Sequence, residues 1–388
     1  MKIIDVSVRM LSHMKAQPPM RRTYAIVRVE TDRGLVGWGE ASTNYGHSYP
    51  TVIRAIVEDV LGRNLVGRDP ADIGERTAEM HGLLDGYLGW SGVASQAIGA
   101  VEIALWDIAG KAAGKSIARL LGGEPAPLKL YATGTTMFDA SPAWYADYFG
   151  PALERGITGL KARLGTEADA AVERAAALRA AVGPRIDLMV DAYWGFLPDD
   201  AAELAERLAP LRIAFFEEPA PQHHPDFDGL QARFPMPIAV GERVYSPREF
   251  EDIAMKRSAR VLEPDACICG GISAAMQVAA IARAHGLALV PHLGSPTAIG
   301  LAANLQWAAA ARCELVEFDV YPDLPMRDAI VADPVFALDR VVDGHLAPPD
   351  RPGLGIEIDE SALQRFPYEA GATYAEVFVT HERPDSRR

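Results

Sequence analysis

A parallel (β/α) barrel preceded by an α+β unit is the fold that these 388 residues predict. Three observations carry it. From about Leu128, short apolar runs alternate with helical patterns, and runs at 128–133, 158–163, 186–191, 213–217, 237–241, 260–264, 287–291 and 314–318 read as strands. Eight short strands separated by helices favour a closed barrel. The runs also end alike: Asp191, Glu217, Glu242, Asp265, His292 and Glu317 follow one another in steps of 26, 25, 23, 27 and 25 residues. Finally, the length and the 49% hydrophobic content allow one large core with additions. An open doubly wound sheet is the competing arrangement, but no Gly-x-Gly-x-x-Gly follows an early strand.

The elements before the barrel differ in kind. "IIDVSVRM", "TYAIVRVET" and "LVGWGE" read as an antiparallel meander, with Asp32–Gly34 as its second turn. Helical segments follow, the last being "VASQAIGAVEIALWDIAGKAAG", where Val101, Ala104, Leu105, Ile108 and Ala112 recur at helical spacing and Gly114 is the stop. This gives an α+β unit over 1–125, a barrel over 126–340, and a Pro- and Gly-rich tail over 341–388 that is expected to fold back on the first unit.

A net charge of −14 argues against a nucleic-acid surface, which needs clustered Lys and Arg. Cys267, Cys269 and Cys313 are too few for a disulfide framework and read as reduced thiols of a cytoplasmic protein. The alternating start "MKIIDVSVRM" is a strand rather than a signal peptide, and no run of about 18 apolar residues is read that would span a membrane.

In a barrel of this kind, reacting groups stand at the C-terminal ends of several strands. Asp191, Glu217 and Glu242 end consecutive strands and should converge. Three like charges raise one another's pKa, and a hard, oxygen-seeking cation such as Mg²⁺ removes that difficulty. Separate helix caps or Arg pairs explain one such acid well, and three in succession poorly. Lys161 and Arg163, two apart on the preceding strand, share a face and are placed to hold an anion. Asp265 and His292 end neighbouring strands, where a carboxylate can fix one imidazole nitrogen and leave the other as a base. Glu317 closes the ring as a donor of a proton or hydrogen bond.

The motifs "KAR", "VDAYW", "FFEEP", "GER", "PDACICGG", "VPH" and "VEF" together resemble the enolase superfamily, in its mandelate racemase-like subgroup. The resemblance covers nearly the whole chain and implies a (β/α)7β TIM-like barrel with an N-terminal α+β capping domain completed by the C-terminal tail. It implies Mg²⁺ on Asp191, Glu217 and Glu242, with His292 as general base oriented by Asp265. Glu317 would hydrogen-bond the substrate carboxylate as it becomes an enediolate, and Lys161 would neutralise the same oxygens. Arg163 departs from the Lys often found there; Arg stays protonated and is a poor second base. Another departure is Tyr193-Trp194, where related sequences often carry Asn or His. The expected activity is therefore that of an acid-sugar dehydratase, with a 2-hydroxy-acid racemase or epimerase, or a non-catalytic sugar-acid-binding barrel, as alternatives. Capping-domain loops at Ser12–Arg22 and Ser42–Pro50 are expected to set specificity. Arg21, Arg22, Asn44, Tyr45 and His47 suit a polyol or second carboxylate, and each is equally read as an exposed loop residue. The expected partner is a small sugar acid, with neither nucleic acid nor membrane, and the expected assembly is a homo-oligomer.

Overall fold

The computed structural model describes residues 1–15, 20–42, 48–134, 141–294, 296–320 and 324–370. The meander forms as β1 (Ile3–Lys15), β2 (Met20–Thr31) and β3 (Val36–Ala41), antiparallel in that order. The turn between β2 and β3 ends on Gly34 at φ 74°, a conformation that favours glycine. The first hairpin is longer than the sequence suggests. Ser12 pairs with Thr23 and His13 with Arg22, so most of the stretch read as a specificity loop is strand.

β3 lies on the helix Val93–Ala113, and its glycines set the distance. A Cβ at Gly39 would stand 1.8 Å from the Ala100 carbonyl oxygen, and one at Gly37 would stand 2.1 Å from that of Ala104. The helix stops at Gly114, left-handed at φ 65°, as its sequence indicates. It is also long and apolar enough to cross a membrane, which corrects the expectation that no such segment exists, but most of it is buried in the core. Glu102 on this helix accepts the backbone N–H groups of Ile272 and Ser273 at 2.8 and 2.9 Å, capping a barrel helix from outside the barrel.

The eight parallel strands follow: β4 (Leu128–Thr133), β5 (Gly159–Arg163), β6 (Asp187–Asp191), β7 (Ile213–Glu217), β8 (Ile238–Val240), β9 (Val261–Leu262), β10 (Ala288–Leu289) and β11 (Val316–Asp319). Each hydrogen-bonds its neighbour from β4 to β10, and β11 joins β4. The remaining seam is bridged by the Glu317 N–H, which donates to the Pro291 carbonyl at 3.3 Å. The last strands are shorter than the apolar runs because Pro264 and Pro291 have no N–H to continue a ladder. Helices connect the strands except after β7, where two 3-10 turns, Pro225–Phe227 and Leu230–Arg233, take the place of a helix.

Inside the barrel, Tyr131, Met189, Phe215, Ala239, Val261 and Val290 pack into one apolar layer. Side chains two residues further along each strand share that inward face, which places Asp191, Glu217, Glu263 and His292 directly above it. Below, β12 (His345–Leu346) pairs antiparallel with β4. The tail then runs to the first unit, where Leu11 bridges Pro367 and Arg119 ion-pairs with Asp350 at 2.7 Å.

Gly39→Ala should lower stability by about 1–3 kcal/mol, since neither backbone can yield without moving a whole element. Thermal unfolding of the variant measures this, and an unchanged midpoint would mean that β3 and the helix are not seated this closely.

Candidate active site

All eight predicted strand-end groups are gathered at one end of the barrel, and all are buried. Sheet register explains part of this: Arg163 pairs with Asp191 across β5 and β6, and Asp191 with Glu217 across β6 and β7. The Lys161 ammonium lies 2.5 Å from Glu217 Oε2 and 2.7 Å from Glu317 Oε1. Arg163 lies 2.7 Å from Asp191 Oδ2. His292 places Nδ1 3.2 Å from Asp265 Oδ2, and Nε2 3.3 Å from Glu242 Oε2 and 3.9 Å from Glu317 Oε2. The Asp265 carboxylate only accepts, so it fixes the proton on Nδ1 and leaves Nε2 toward the centre of the ring.

Burial and crowding decide the charges. Burial pushes Glu217 up to about 8; Lys161 pulls it down, while Asp191, Glu317 and Glu242 add to the rise. Burial also acts on Glu242, but Arg243 and His292 outweigh it and hold that carboxyl well below the usual range. The His292 imidazole is lowered by burial, yet the Asp265 and Glu242 carboxylates beside it hold it well above the ordinary histidine value. Lys161 is likewise lowered by burial and raised further by Glu217 and Glu317, so it stays a cation.

Among the described residues, no three Asp, Glu, His or Cys side chains converge tightly enough to hold a metal ion as they stand. Each of the three carboxylates instead leans on a basic neighbour: Asp191 on Arg163, Glu217 on Lys161, and Glu242 on Arg243 and His292. The donor set nevertheless fits a hard cation. Asp191 Oδ2, Glu217 Oε1 and Glu242 Oε2 are buried and accept no hydrogen bond, although Arg163 and His292 stand close to two of them. Three carboxylates, each with one oxygen that no hydrogen bond satisfies, and no sulfur among them, form the kind of donor set that Mg²⁺ takes.

Several participants escape the sequence reading. Glu263 is buried in the same ring with neither oxygen hydrogen-bonded, and burial, then Glu217, pushes it well above the usual carboxyl range. Two-residue alternation back from Asp265 would have found it. Glu218 is buried beside Arg243 at 3.0 Å, and that guanidinium stacks on Tyr193 at 4.0 Å and on Trp194 at 4.1 Å. Tyr193, Trp194 and Glu218 have φ of 50°, 52° and 45°, so the chain after two of the strands turns through a left-handed conformation.

The five residues expected in the specificity loops separate. Arg21 pairs with Glu369 of the tail at 2.8 Å. Arg22 is buried beside Tyr24, and its Nε and NH1 groups have no hydrogen-bond partner. Asn44, Tyr45 and His47 lie outside the described residues.

Comparison with known proteins agrees with this geometry. The family described as mandelate racemase/muconate lactonizing enzyme, N-terminal domain, matches residues 2–122, and the one described as enolase C-terminal domain-like matches residues 145–362. A D-galactarolactone cycloisomerase of Agrobacterium fabrum is 33% identical over 94% of this chain and 99% of its own. A D-galactonate dehydratase of Verminephrobacter eiseniae is 33% identical over 88% of this chain and 90% of its own. The crystal structure of an enolase superfamily member from Polaromonas sp. JS666 superposes with a TM-score of 0.88 at 29% identity, covering 96% of this chain and 100% of the other. With capping sheet, barrel and strand-end ring all in place, the chain belongs to the enolase superfamily, in its mandelate racemase-like subgroup.

Proposed function

We propose that this protein is an acid-sugar dehydratase, which removes the proton α to a carboxylate and eliminates the β-hydroxyl to give a 2-keto-3-deoxy sugar acid. The asymmetry of the basic groups carries the reading. His292, backed by Asp265, is competent as a base, whereas Arg163 stays protonated and faces Asp191. One base suits abstraction followed by elimination, while racemisation needs a base on each face. The relative named D-galactonate dehydratase supports this choice.

Asp191, Glu217 and Glu242 would hold Mg²⁺, which when bound stabilises negative charge developing on the substrate carboxylate. Lys161 adds a positive charge toward the same oxygens, and its contacts with Glu217 and Glu317 keep it in place. His292 Nε2 takes the Cα proton while Asp265 steadies the resulting imidazolium. The same proton then passes to the departing β-oxygen, which leaves as water, and the enol product tautomerises to the keto acid. Glu317 is an acceptor at rest, from Leu293 N–H at 2.7 Å and from Lys161, and these neighbours together with His292 hold its carboxyl below the usual range against the effect of burial. Donation from Glu317 to the substrate therefore requires a proton that arrives with the substrate.

A second reading comes from the relative named D-galactarolactone cycloisomerase. In it, the same proton abstraction acts on a lactone and no water is lost. Incubation with a library of aldonates, aldarates and their lactones, read as 2-keto acid formation, separates the two. Dehydration is expected with at least one open-chain acid, and His292→Asn should abolish both turnover and deuterium exchange at Cα. Isomerised lactone without keto acid from any open-chain acid would favour the second reading, and exchange surviving in the variant would show another base.

Glu217→Gln should nearly abolish activity and weaken Mg²⁺ binding, read by calorimetry, with the circular dichroism of the fold retained. Full activity after exhaustive chelation would remove the cation from the mechanism.

The pH profile follows from His292. As a base it works only when neutral, so kcat/KM should fall as pH drops through a pKa that Asp265 holds above the ordinary histidine value. Asp265→Asn removes that support, so at saturating Mg²⁺ the acidic limb should move to lower pH. The rate constant should drop by roughly a hundredfold or more, with Mg²⁺ affinity unchanged. Normal turnover with an unmoved limb would exclude the pair.

A further inference from the structure

The Asp265–His292 pair is held from behind by a residue with no place in the chemistry above. Asn304, wholly buried on the helix Ala298–Ala311, donates from Nδ2 to Asp265 Oδ1 at 2.8 Å and to the Gly300 carbonyl at 3.1 Å. Its Oδ1 accepts the Ala266 N–H at 2.9 Å and the Trp307 indole N–H at 2.8 Å. Both donors and both lone pairs of the amide are thereby used, so it has one orientation. Asp265 Oδ1 also accepts the Cys267 N–H at 2.8 Å. With Oδ1 tied twice, the carboxylate cannot rotate, and Oδ2 faces His292 Nδ1.

The same helix is anchored from the first domain. Glu40, buried in β3, accepts the Thr297 hydroxyl at 2.7 Å, the Thr297 N–H at 3.1 Å and the Gly300 N–H at 2.9 Å, all at the start of the helix. The seat has no slack, because a Cβ at Gly300 would stand 2.7 Å from Glu40 Oε2 and 2.8 Å from Cys267 Sγ. Ser42, just past β3, donates its N–H to the Cys267 carbonyl at 3.2 Å.

We propose that Asn304 is a positioning residue for the base, and that Glu40 passes the seating of the capping domain to it through the helix. The consequence is that His292 presents Nε2 only while cap and barrel are docked. The inference rests on His292 being the base, and its test has a readout that does not need turnover.

Two variants address the two ends of the chain of contacts. Asn304→Asp keeps an acceptor for Ala266 and Trp307 but turns the donor to Asp265 into a second oxygen. Gly300→Ala leaves Asn304 intact and wedges the helix from Glu40. In both, kcat should fall by about tenfold or more with KM within about twofold, while Mg²⁺ affinity by calorimetry stays the same. The ¹⁵N resonances of His292, recorded without substrate at a pH above its pKa so that the ring is neutral and assigned by their loss in His292→Asn, should shift from a fixed Nδ1–H tautomer toward an average of the two. An Asn304→Asp variant with parental His292 resonances and parental kcat would overturn the proposal. So would a fall in kcat matched by lost Mg²⁺ affinity with the resonances unmoved, since that marks a general structural role. If His292→Asn itself retains Cα exchange, the functional reading fails, while the resonance shift in Asn304→Asp still reports on the positioning.

Discussion

Crowding of negative charge at the barrel mouth is the constraint on which the rest depends. Seven buried carboxyl groups, Asp191, Glu217, Glu218, Glu242, Glu263, Asp265 and Glu317, share this space with Lys161, Arg163 and Arg243. Such an excess cannot stay ionised in a low-dielectric interior without help. The structure shows two forms of help already: every basic group is bound to at least one carboxylate, and Glu217, Glu218 and Glu263 are shifted up by burial. A divalent cation would be a third form, and the oxygens of Asp191, Glu217 and Glu242 that accept no hydrogen bond are where it would fit.

That excess also ties folding to function. Buried ion pairs contribute little net stability after desolvation, so these groups are weak contributors to the fold. The fold is held together by the surrounding architecture. Capping sheet, long helix and barrel are pinned by close backbone approaches at Gly37 and Gly39 and by carboxylates that cap helices of the neighbouring domain.

What the sequence reveals and conceals follows from how far apart the interacting parts lie. Strand order and the strand-end ring are legible because a barrel repeats one local pattern, an apolar run closed by a polar group. Glu263 breaks that rhythm by sitting inside its run, two residues before Asp265, so attention falls on Asp265 alone. Asn304 and Glu40 are not legible at all: one is a polar residue in an apolar helix and the other a lone acid at a strand end. Only their common attachment to the helix Ala298–Ala311, Glu40 at its start and Asn304 within it, gives them a role. The Ser12–Arg22 stretch misleads for the opposite reason, since Gln17-Pro18-Pro19 suggests a wide loop while the flanking residues pair as strand.

The apolar layer of Tyr131, Met189, Phe215, Ala239, Val261 and Val290 makes the barrel a cul-de-sac. Among the six side chains of that floor only the Tyr131 hydroxyl carries a transferable proton, so the layer closes the ring of acidic groups from below. A proton lifted from a substrate can therefore leave only through the ring of acidic groups and the mouth above it. Exchange of that proton with solvent is thus a measure of how freely water reaches the mouth, and a slower exchange than turnover would mean that the departing oxygen is protonated before water intervenes.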